Sequence, residues 1–448
     1  MSARTDLPKN NIGRLLFRYA LPSTLSVWIF ALYTMVDGMF VGKVVGAQAL
    51  AAVNLSLPYI SILFAISILV TIGAATLVGV QRGAGNPQQA SRIFSTAIYT
   101  LLLFGLTVCG LSYFFIEDIA VLLGARGELV PLVVEYLQTL LVFNTFYLVA
   151  YSMEVFVKVD GFPKRELIVI CIAALTNIAL DYLLIVEQGM GLKGAAIATG
   201  CAQLLQGILL LLHFRSKVGT LRFVRVLPSP GLVLKFFKIG IPDSITEMSS
   251  GFVLLAFNHV ILSSLSTSEL SAFSVIGYIS NFMLLTMIGL SQGMQPLVTY
   301  FRGQNHHEKT KQLLILTLKS AFTATALSFL TLYAFGDWLA AMFLNDKILI
   351  NRSHDIMKVF CLGFLFLGMN VVLSAYFTAM EKMISAGILS LLRSTVLVII
   401  LLMTLPSLMG PNSIWLVAPI SEALTLLVGI YLIRRPQSGW RPRGLATS

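Results

Sequence analysis

The chain has 448 residues, of which 57% are hydrophobic and only 11% are charged, and its formal net charge is +11. Soluble domains carry about 25% charged residues, so this composition excludes an ordinary soluble globule. The apolar residues cluster into runs of about 20 to 30 residues, and each run is long enough to cross a hydrocarbon core of ~30 Å as a helix. The sequence therefore predicts an all-α polytopic membrane protein.

Twelve apolar runs follow one another along the chain. The polar inserts between them leave no room for a nucleotide-binding domain or an extramembrane enzyme. The first run continues past Asp37 without a small-residue cleavage site, which indicates a retained span and not a signal peptide. The predicted spans are 14–42, 49–81, 90–116, 129–159, 163–187, 191–214, 231–264, 270–301, 310–336, 350–380, 383–407 and 412–433.

Basic residues are distributed unevenly between the two sides of the predicted spans. If the N-terminus is cytoplasmic, most lysines and arginines fall on the cytoplasmic side, and those outside are Lys43, Arg126, Lys193, Lys347 and Arg352. The positive-inside rule favours this orientation. We therefore expect a multi-pass protein of the cell (inner) membrane with both termini in the cytoplasm. The positive charge then reflects topology and does not indicate a nucleic-acid partner.

The second half of the sequence repeats features of the first half at an offset of 220 residues. Six spans per half is an even number, so the two halves have the same membrane orientation, as in parallel-repeat transporters. We expect an N-terminal lobe at 1–218, a linker at 219–238 and a C-terminal lobe at 239–448, with a cavity between the lobes. An old duplication without a mechanical role is the alternative. The matched pairs include Pro22 with Pro242, Gly73 with Gly293, Arg82 with Arg302, and Gly83 with Gly303.

Four polar side chains lie at one depth in the N-terminal half. Asp37 is about six residues, or ~9 Å, below the outer end of the first span. Asp181 has a similar position in the fifth span, and Asn177 lies one turn away on the same face. Thr199 reaches this depth in the sixth span. Two carboxylates, an amide and a hydroxyl suit Na⁺, or a proton held by a carboxylate. The alternative is that Asn177 and Thr199 only form hydrogen bonds between helices.

Other ionisable residues within spans are further candidates, because each costs free energy to bury in a bilayer. Glu154 and Glu247 lie nearer the cytoplasmic ends of their spans, so a transport role competes with snorkelling to the headgroups. Arg393 and Glu422 lie near mid-depth, where an ion pair is the simplest interpretation. Pro22 is either a hinge or a static bend in the first span.

The chain carries no Walker lysine motif, no HExxH motif and no dinucleotide fingerprint. The sequence therefore predicts neither an enzyme nor a resident cofactor. The only bound ion that we expect is the coupling ion, H⁺ or Na⁺.

The first span contains Val36-Asp37-Gly38-Met39-Phe40-Val41-Gly42, and the fifth contains Asn177-Ile178-Ala179-Leu180-Asp181. With twelve spans and a six-plus-six repeat, the chain resembles the multidrug and toxin extrusion (MATE) family, in particular a prokaryotic branch with an N-lobe Asp/Asn-x-x-x-Asp site. The resemblance implies a secondary antiporter that exports cationic or amphiphilic drugs in exchange for H⁺ or Na⁺ by alternating access. It also implies that Asp37, Asn177, Asp181 and Thr199 hold the ion, and that the first helix bends at Pro22.

A lipid-linked oligosaccharide flippase of the same superfamily is the alternative function. A flippase needs a cationic cavity for a pyrophosphate, whereas the basic residues embedded in the membrane amount to little beyond Lys319, Lys358 and Arg393. We therefore expect small cationic or amphiphilic molecules and the lipid bilayer as partners, and a monomer as the working unit.

Overall fold

The computed structural model describes residues 11–216, 218–344 and 346–435. In these ranges it contains twelve helices that are long and apolar enough to cross a membrane, and no strand. The predicted all-α architecture with twelve spans is confirmed. The helices, labelled α1 to α12 in chain order, are Ile12–Val45, Gln48–Gly83, Pro87–Phe114, Leu129–Val159, Pro163–Glu187, Gly191–Arg215, Pro230–Ser264, Glu269–Gly303, His307–Ala341, Lys347–Ala379, Met383–Met409 and Pro411–Arg434.

Three of the membrane helices contain a π-helical turn. Such turns end α1 at Val41–Val45 and α5 at Tyr182–Glu187, and a third interrupts α11 at Leu392–Val396. π-Helical turns are rare and occur often at functional sites. After the turn in α1, Gly46 has a φ of 121°, which lets the chain reverse into α2.

The repeat reappears in the structure at the two equivalent prolines. Ser26 Oγ donates a hydrogen bond to the carbonyl oxygen of Pro22 at 2.9 Å, and Thr246 Oγ1 donates to that of Pro242 at 3.0 Å. The hydroxyl follows its proline by four residues in both halves, so α1 and α7 share one local geometry. Both helices continue through their proline without a break.

The two lobes, α1–α6 and α7–α12, meet closely on the side where α1 begins and α12 ends, which we call the termini side. A Cβ atom on Gly83 of α2 would lie 1.9 Å from the carbonyl oxygen of Tyr300 in α8. A Cβ atom on Gly303 of α8 would lie 2.0 Å from the carbonyl oxygen of Val80 in α2. Only glycine permits such a close approach of the two backbones.

The hydrophobic cores also join the lobes on the termini side and not on the opposite side. Leu16 and Tyr19 at the start of α1 belong to the core of the C-terminal lobe, and Phe236 at the start of α7 belongs to a core of the N-terminal lobe. On the side opposite the termini, the core around Val41 and Ile185 contains residues of the N-terminal lobe only. The lobes therefore interlock on the termini side and pack separately on the other.

The predicted linker 219–238 needs one correction. It is irregular only as far as Ser229, and α7 begins at Pro230, because proline is favourable at the first position of a helix. The exact lobe boundaries, 1–218 and 239–448, stay a prediction. Residues 1–10 and 436–448 of these lobes lie outside the described residues.

The linker is docked onto the N-terminal lobe through Asp160, which lies between α4 and α5. The carboxylate of Asp160 accepts hydrogen bonds from the backbone N–H of Thr220 at 2.9 Å and from its hydroxyl at 2.6 Å. His213 Nε2 lies 3.2 Å from the same carboxylate, and Arg82 lies 3.5 Å away. Burial acts to raise the pKa of Asp160, but the bonds from His213 and Thr220 and the charge of Arg82 outweigh it and hold that pKa below its ordinary value.

Candidate functional site

The structure brings together the four side chains that the sequence placed at one depth. Asp37 lies one turn before the π-helical end of α1, and Asp181 lies directly before the π-helical turn of α5. Asn177 and Asp181 are both fully buried. Asn177 Nδ2 lies 3.5 Å from Thr199 Oγ1 of α6, and the carboxylates of Asp37 and Asp181 are close enough to interact electrostatically. Three helices of one lobe therefore supply the site.

Several oxygen atoms of this site are buried and have no hydrogen-bond partner among the described residues. They are Oδ1 of Asp37, Oδ1 of Asn177 and both carboxylate oxygens of Asp181. Buried polar atoms in proteins are almost always partnered, so an unpartnered group calls for an explanation. Carboxylate, amide and hydroxyl oxygens are the ligands that a hard cation takes, and a proton on one carboxylate serves the same purpose. The chemistry of these residues therefore fits a monovalent cation or a proton.

Two tyrosines lie near the carboxylates of the site. Tyr136 of α4 is buried, and Tyr33 lies one turn before Asp37 on α1. Both rings lie within electrostatic range of Asp37 and Asp181. The described part of the chain contains no group of three or more His, Cys, Asp or Glu side chains placed to hold a metal ion.

Comparison with known proteins places the chain in a family. A profile of the MatE family matches residues 22–183 and 244–404, which are the greater part of the chain. The chain belongs to the MATE family. The profile matches once in each half, in agreement with the internal repeat. As a MATE protein, the chain is a membrane transporter and not an enzyme, as the absence of catalytic motifs predicted.

Curated relatives are similar to this MATE protein over almost their full length. The multidrug export protein MepA of Staphylococcus aureus (strain MRSA252) is 24% identical over 431 residues, which are 95% of each chain. The protein of the same name from Staphylococcus saprophyticus is 23% identical over 431 residues, with the same coverage.

Solved structures share the MATE fold. One described as the outward-facing conformation of a multidrug resistance MATE family transporter of the MOP superfamily has a TM-score of 0.89 at 18% identity, and 95% of each chain is covered. A crystal structure of MATE in complex with MaD3S has a TM-score of 0.88 at 19% identity, covering 95% of this chain and 96% of that one. At this identity the similarity establishes the fold alone.

Glu154 and Glu247 point into the MATE protein and not towards headgroups. Glu154 Oε1 lies 3.1 Å from Lys158 Nζ, and its Oε2 accepts a hydrogen bond from Gln206 Nε2 of α6 at 3.2 Å. The side chain of Glu154 is only 13% exposed, so the snorkelling alternative does not describe it. Glu247 of α7 acts electrostatically on Tyr151 of α4, which places it at the interface between the lobes.

The predicted ion pair between Arg393 and Glu422 is wrong. The ion pairs found among the described residues do not join these two side chains, although Arg393 acts on Glu422 at longer range. Glu422 instead accepts a hydrogen bond from Asn370 Nδ2 of α10 at 2.6 Å. Equal depth in the bilayer does not fix the direction in which a side chain leaves its helix, so depth alone could not predict this partner.

Sequence reasoning missed several ionisable residues that pack inside the protein, among them Asp243, Lys158 and Glu166. Asp243 directly follows Pro242 and accepts a hydrogen bond from Thr378 Oγ1 at 3.1 Å. Lys158 and Glu166, at the end of α4 and the start of α5, are 2% and 0% exposed. The spacing of Glu154 and Lys158, one helical turn apart, was a usable signal for Lys158. Glu166 carried no such signal, because residues at helix ends normally face water.

Proposed function

We propose that this MATE protein is a secondary multidrug antiporter that exports cationic and amphiphilic compounds in exchange for H⁺ or Na⁺ by alternating access. The single observation that carries the proposal is the group of unpartnered buried oxygens on Asp37, Asn177 and Asp181. A buried site of this kind is favourable only when a cation or a proton occupies it part of the time.

The substrate class is supported by an aromatic and acidic region between the lobes. The ring of Phe64 stacks on Tyr147 at 5.6 Å and meets Tyr151 edge-on at 4.7 Å. Glu154 of one lobe and Glu247 of the other act electrostatically on both tyrosines. Aromatic faces attract organic cations, and carboxylates complement their charge. The relatives named multidrug export protein are consistent with this class of substrate.

In the proposed orientation the termini side faces the cytoplasm, since the basic residues concentrate there. The contacts between the lobes on that side then close the cytoplasmic entrance, and the cavity opens to the outside of the cell (inner) membrane. We keep the monomer as the working unit, because one chain supplies both lobes and the cavity between them.

The cycle follows from the placement of the ion site on α1. An ion from outside binds Asp37, Asp181, Asn177 and Thr199, and neutralises the carboxylates. The neutral site allows α1 to bend at Pro22, which changes the cavity and releases the cationic substrate outward. After the lobes reorient, the ion leaves to the cytoplasm and a new substrate binds. Coupling requires only that ion and drug have different affinities for the two states.

A flippase is not favoured by the charges of the cavity region. Lys358 pairs with Asp355 at 3.1 Å at a partly exposed position, and Lys158 pairs with Glu154. Neither lysine is therefore available to hold a pyrophosphate.

The test is ethidium efflux from proteoliposomes, with a pH gradient and a Na⁺ gradient imposed separately. We expect one gradient to drive export by the wild type, and Asp37→Asn to reduce that export at least tenfold. Asp118→Asn is the matched control, because Asp118 is an exposed aspartate on the short helix Ile116–Leu122 between α3 and α4. Full gradient-driven export by correctly folded Asp37→Asn would refute the coupling scheme. Absence of gradient-driven export in the wild type would refute the antiporter.

A further inference from the structure

A second group of buried charges lies on the termini side of the N-terminal lobe, centred on Lys158. Its Nζ atom lies 3.1 Å from Glu154 Oε1 and 3.6 Å from Glu166 Oε1. The same Nζ donates a hydrogen bond at 2.9 Å to Oε1 of Gln292, which belongs to α8 in the other lobe. We call Glu154, Lys158 and Glu166 the lysine cluster.

The lysine cluster is sealed by groups from several helices. Both carboxylate oxygens of Glu166 are buried without a hydrogen bond among the described residues, and the residue is 0% exposed. Ser26 of α1 faces Glu166, and Gln206 of α6 bonds to Glu154. The charged and titratable groups near Glu154 from other positions are Tyr33, Tyr147 and Tyr151.

The charges of the lysine cluster do not balance when both carboxylates are ionised. Two carboxylates and one ammonium leave one net negative charge among side chains that are almost fully buried, and such a charge is unfavourable in a membrane protein. One added cation restores neutrality. The ammonium already lies between the two carboxylates, in the place that a metal ion would take, so the added cation is a proton on a carboxylate oxygen.

We propose that the lysine cluster is a second proton-binding site, separate from the site of Asp37 and Asp181, and that Gln292 couples its exchange with the cytoplasm to the separation of the lobes. The inference rests on the proposed antiport, from which it takes the orientation and the coupling proton. The chemical step is the reversible association of H⁺ with the carboxylate of Glu166, whose two oxygens are buried without a hydrogen bond among the described residues, and no other bond changes.

The position of Gln292 explains how the lobes control this exchange. A cavity of about 20 Å³ lies between the lobes; its lining is mostly apolar and includes the side chains of Lys158, Gln292, Gln295 and Thr299. That volume holds about one water molecule. It lies beside the glycine contacts, since Gly79 of α2 packs against Thr299. When the lobes separate on this side, the hydrogen bond from Lys158 to Gln292 breaks. Water then reaches the lysine cluster, and the proton can leave to the cytoplasm.

The experiment counts protons exchanged when ethidium binds the purified full-length protein in detergent. Calorimetric titrations in buffers of different ionisation enthalpy give this number across pH 5.5 to 8.5. We expect the wild type to release protons on binding ethidium, and Glu166→Gln to release about one fewer at the pH of the wild-type maximum. Glu154→Gln carries the same charge change and should show the same loss, which covers the case in which one variant does not fold.

A charge-balanced double variant separates proton binding from a structural role. Glu166→Gln combined with Lys158→Met leaves one carboxylate and no ammonium, so the net charge returns to that of the wild type. The number of protons released on ethidium binding should therefore return to the wild-type value. Glu117→Gln, on the exposed short helix Ile116–Leu122, is the matched control and should change nothing.

Three results decide between the ideas. A wild type that binds ethidium without exchanging protons refutes proton coupling itself. A wild-type count in the folded single variants refutes the second site while the antiport stands. A double variant that stays at the reduced count refutes the charge balance on which the site depends.

Discussion

At the scale of single residues, the ionised carboxylate of Asp160 stabilises the fold by binding the linker. Its carboxylate is bound by Thr220, His213 and Arg82, and these partners hold its pKa below the ordinary value against the effect of burial. A carboxyl group whose pKa is lower in the folded state stabilises that state at and above the pH where an unfolded aspartate ionises, about pH 4. The contribution is lost as the pH falls through the folded-state pKa.

We therefore expect Asp160→Asn to destabilise the protein by about 1–3 kcal/mol at pH 7, because it weakens several hydrogen bonds to a buried carboxylate. The difference in melting temperature between variant and wild type should shrink below about pH 4. Thermal unfolding in detergent across pH 3 to 7 measures it. Asp118→Asn should leave the melting temperature unchanged. A difference that stays constant with pH would show that the charge of Asp160 is not responsible.

Glu422 provides a second prediction at this scale. Its partner is Asn370, which is 1% exposed and donates at 2.6 Å. Asn370→Ala leaves a buried carboxylate without this donor, so we expect a loss of about 1–3 kcal/mol in the free energy of unfolding. Arg393→Met should cost less, because Arg393 acts on Glu422 only at longer range. Equal losses from the two variants, measured by thermal unfolding, would favour a direct ion pair after all.

At the scale of elements, the contact of α2 with α8 depends on two glycines. A Cβ atom on Gly83 would overlap the carbonyl oxygen of Tyr300, so Gly83→Ala must push the two helices apart. We expect this variant to populate the state that is open on the termini side. Gly110→Ala is the matched control, since a Cβ atom at Gly110 of α3 meets nothing within 4 Å.

Spin labels report this opening when they are attached to cysteines at Gln88 and Glu308, exposed equivalent positions at the starts of α3 and α9, in a background whose four native cysteines are alanine. The distance between the labels should lengthen in Gly83→Ala and stay at the wild-type value in Gly110→Ala. An unchanged distance in both variants would contradict the role of the glycine contact.

The helices themselves were predictable, because twenty apolar residues in a row have one stable structure in a bilayer. The shared depth of Asp37, Asn177, Asp181 and Thr199 was predictable as well, since rise per residue fixes depth. The lysine cluster was not, because its bond to Gln292 joins residues of different lobes, and no local pattern encodes that approach. The partner of Glu422 was predicted wrongly for another reason, because depth does not fix the direction in which a side chain leaves its helix. Asp243 was overlooked beside Pro242.

At the scale of the whole molecule, the lobes are joined on one side and independent on the other. Three kinds of contact join the lobes on the termini side. They are the glycine contacts, the packing of the start of each of α1 and α7 into the core of the other lobe, and the hydrogen bond from Lys158 to Gln292. Reorientation of the lobes must therefore break one interface, and the sum of its contacts sets the balance between the two states. Small changes at this interface should shift that balance, since 1.4 kcal/mol corresponds to a factor of ten.

Trp28 of α1 is the contact that tests this conclusion best. Its ring stacks on Phe282 of α8 at 5.3 Å, and its Nε1 donates to Thr286 Oγ1 at 3.0 Å. An aromatic pair and a hydrogen bond together contribute about 1–3 kcal/mol. The contact joins the lobes near the middle of α1, so Trp28→Ala should shift the balance between the two states about tenfold, as measured with the same pair of spin labels. Trp28→Phe keeps the stacking and loses only the hydrogen bond, so it should shift the population less.

The order of these two variants decides whether the interface works as a sum of separable contacts. If Trp28→Ala moves the equilibrium further than Trp28→Phe, stacking and hydrogen bonding each hold the lobes together, and the drug must supply a comparable difference in affinity to drive the change. If neither variant shifts the equilibrium, the glycine contacts alone hold the termini side closed. The close approach of α2 to α8 then controls the change between the two states.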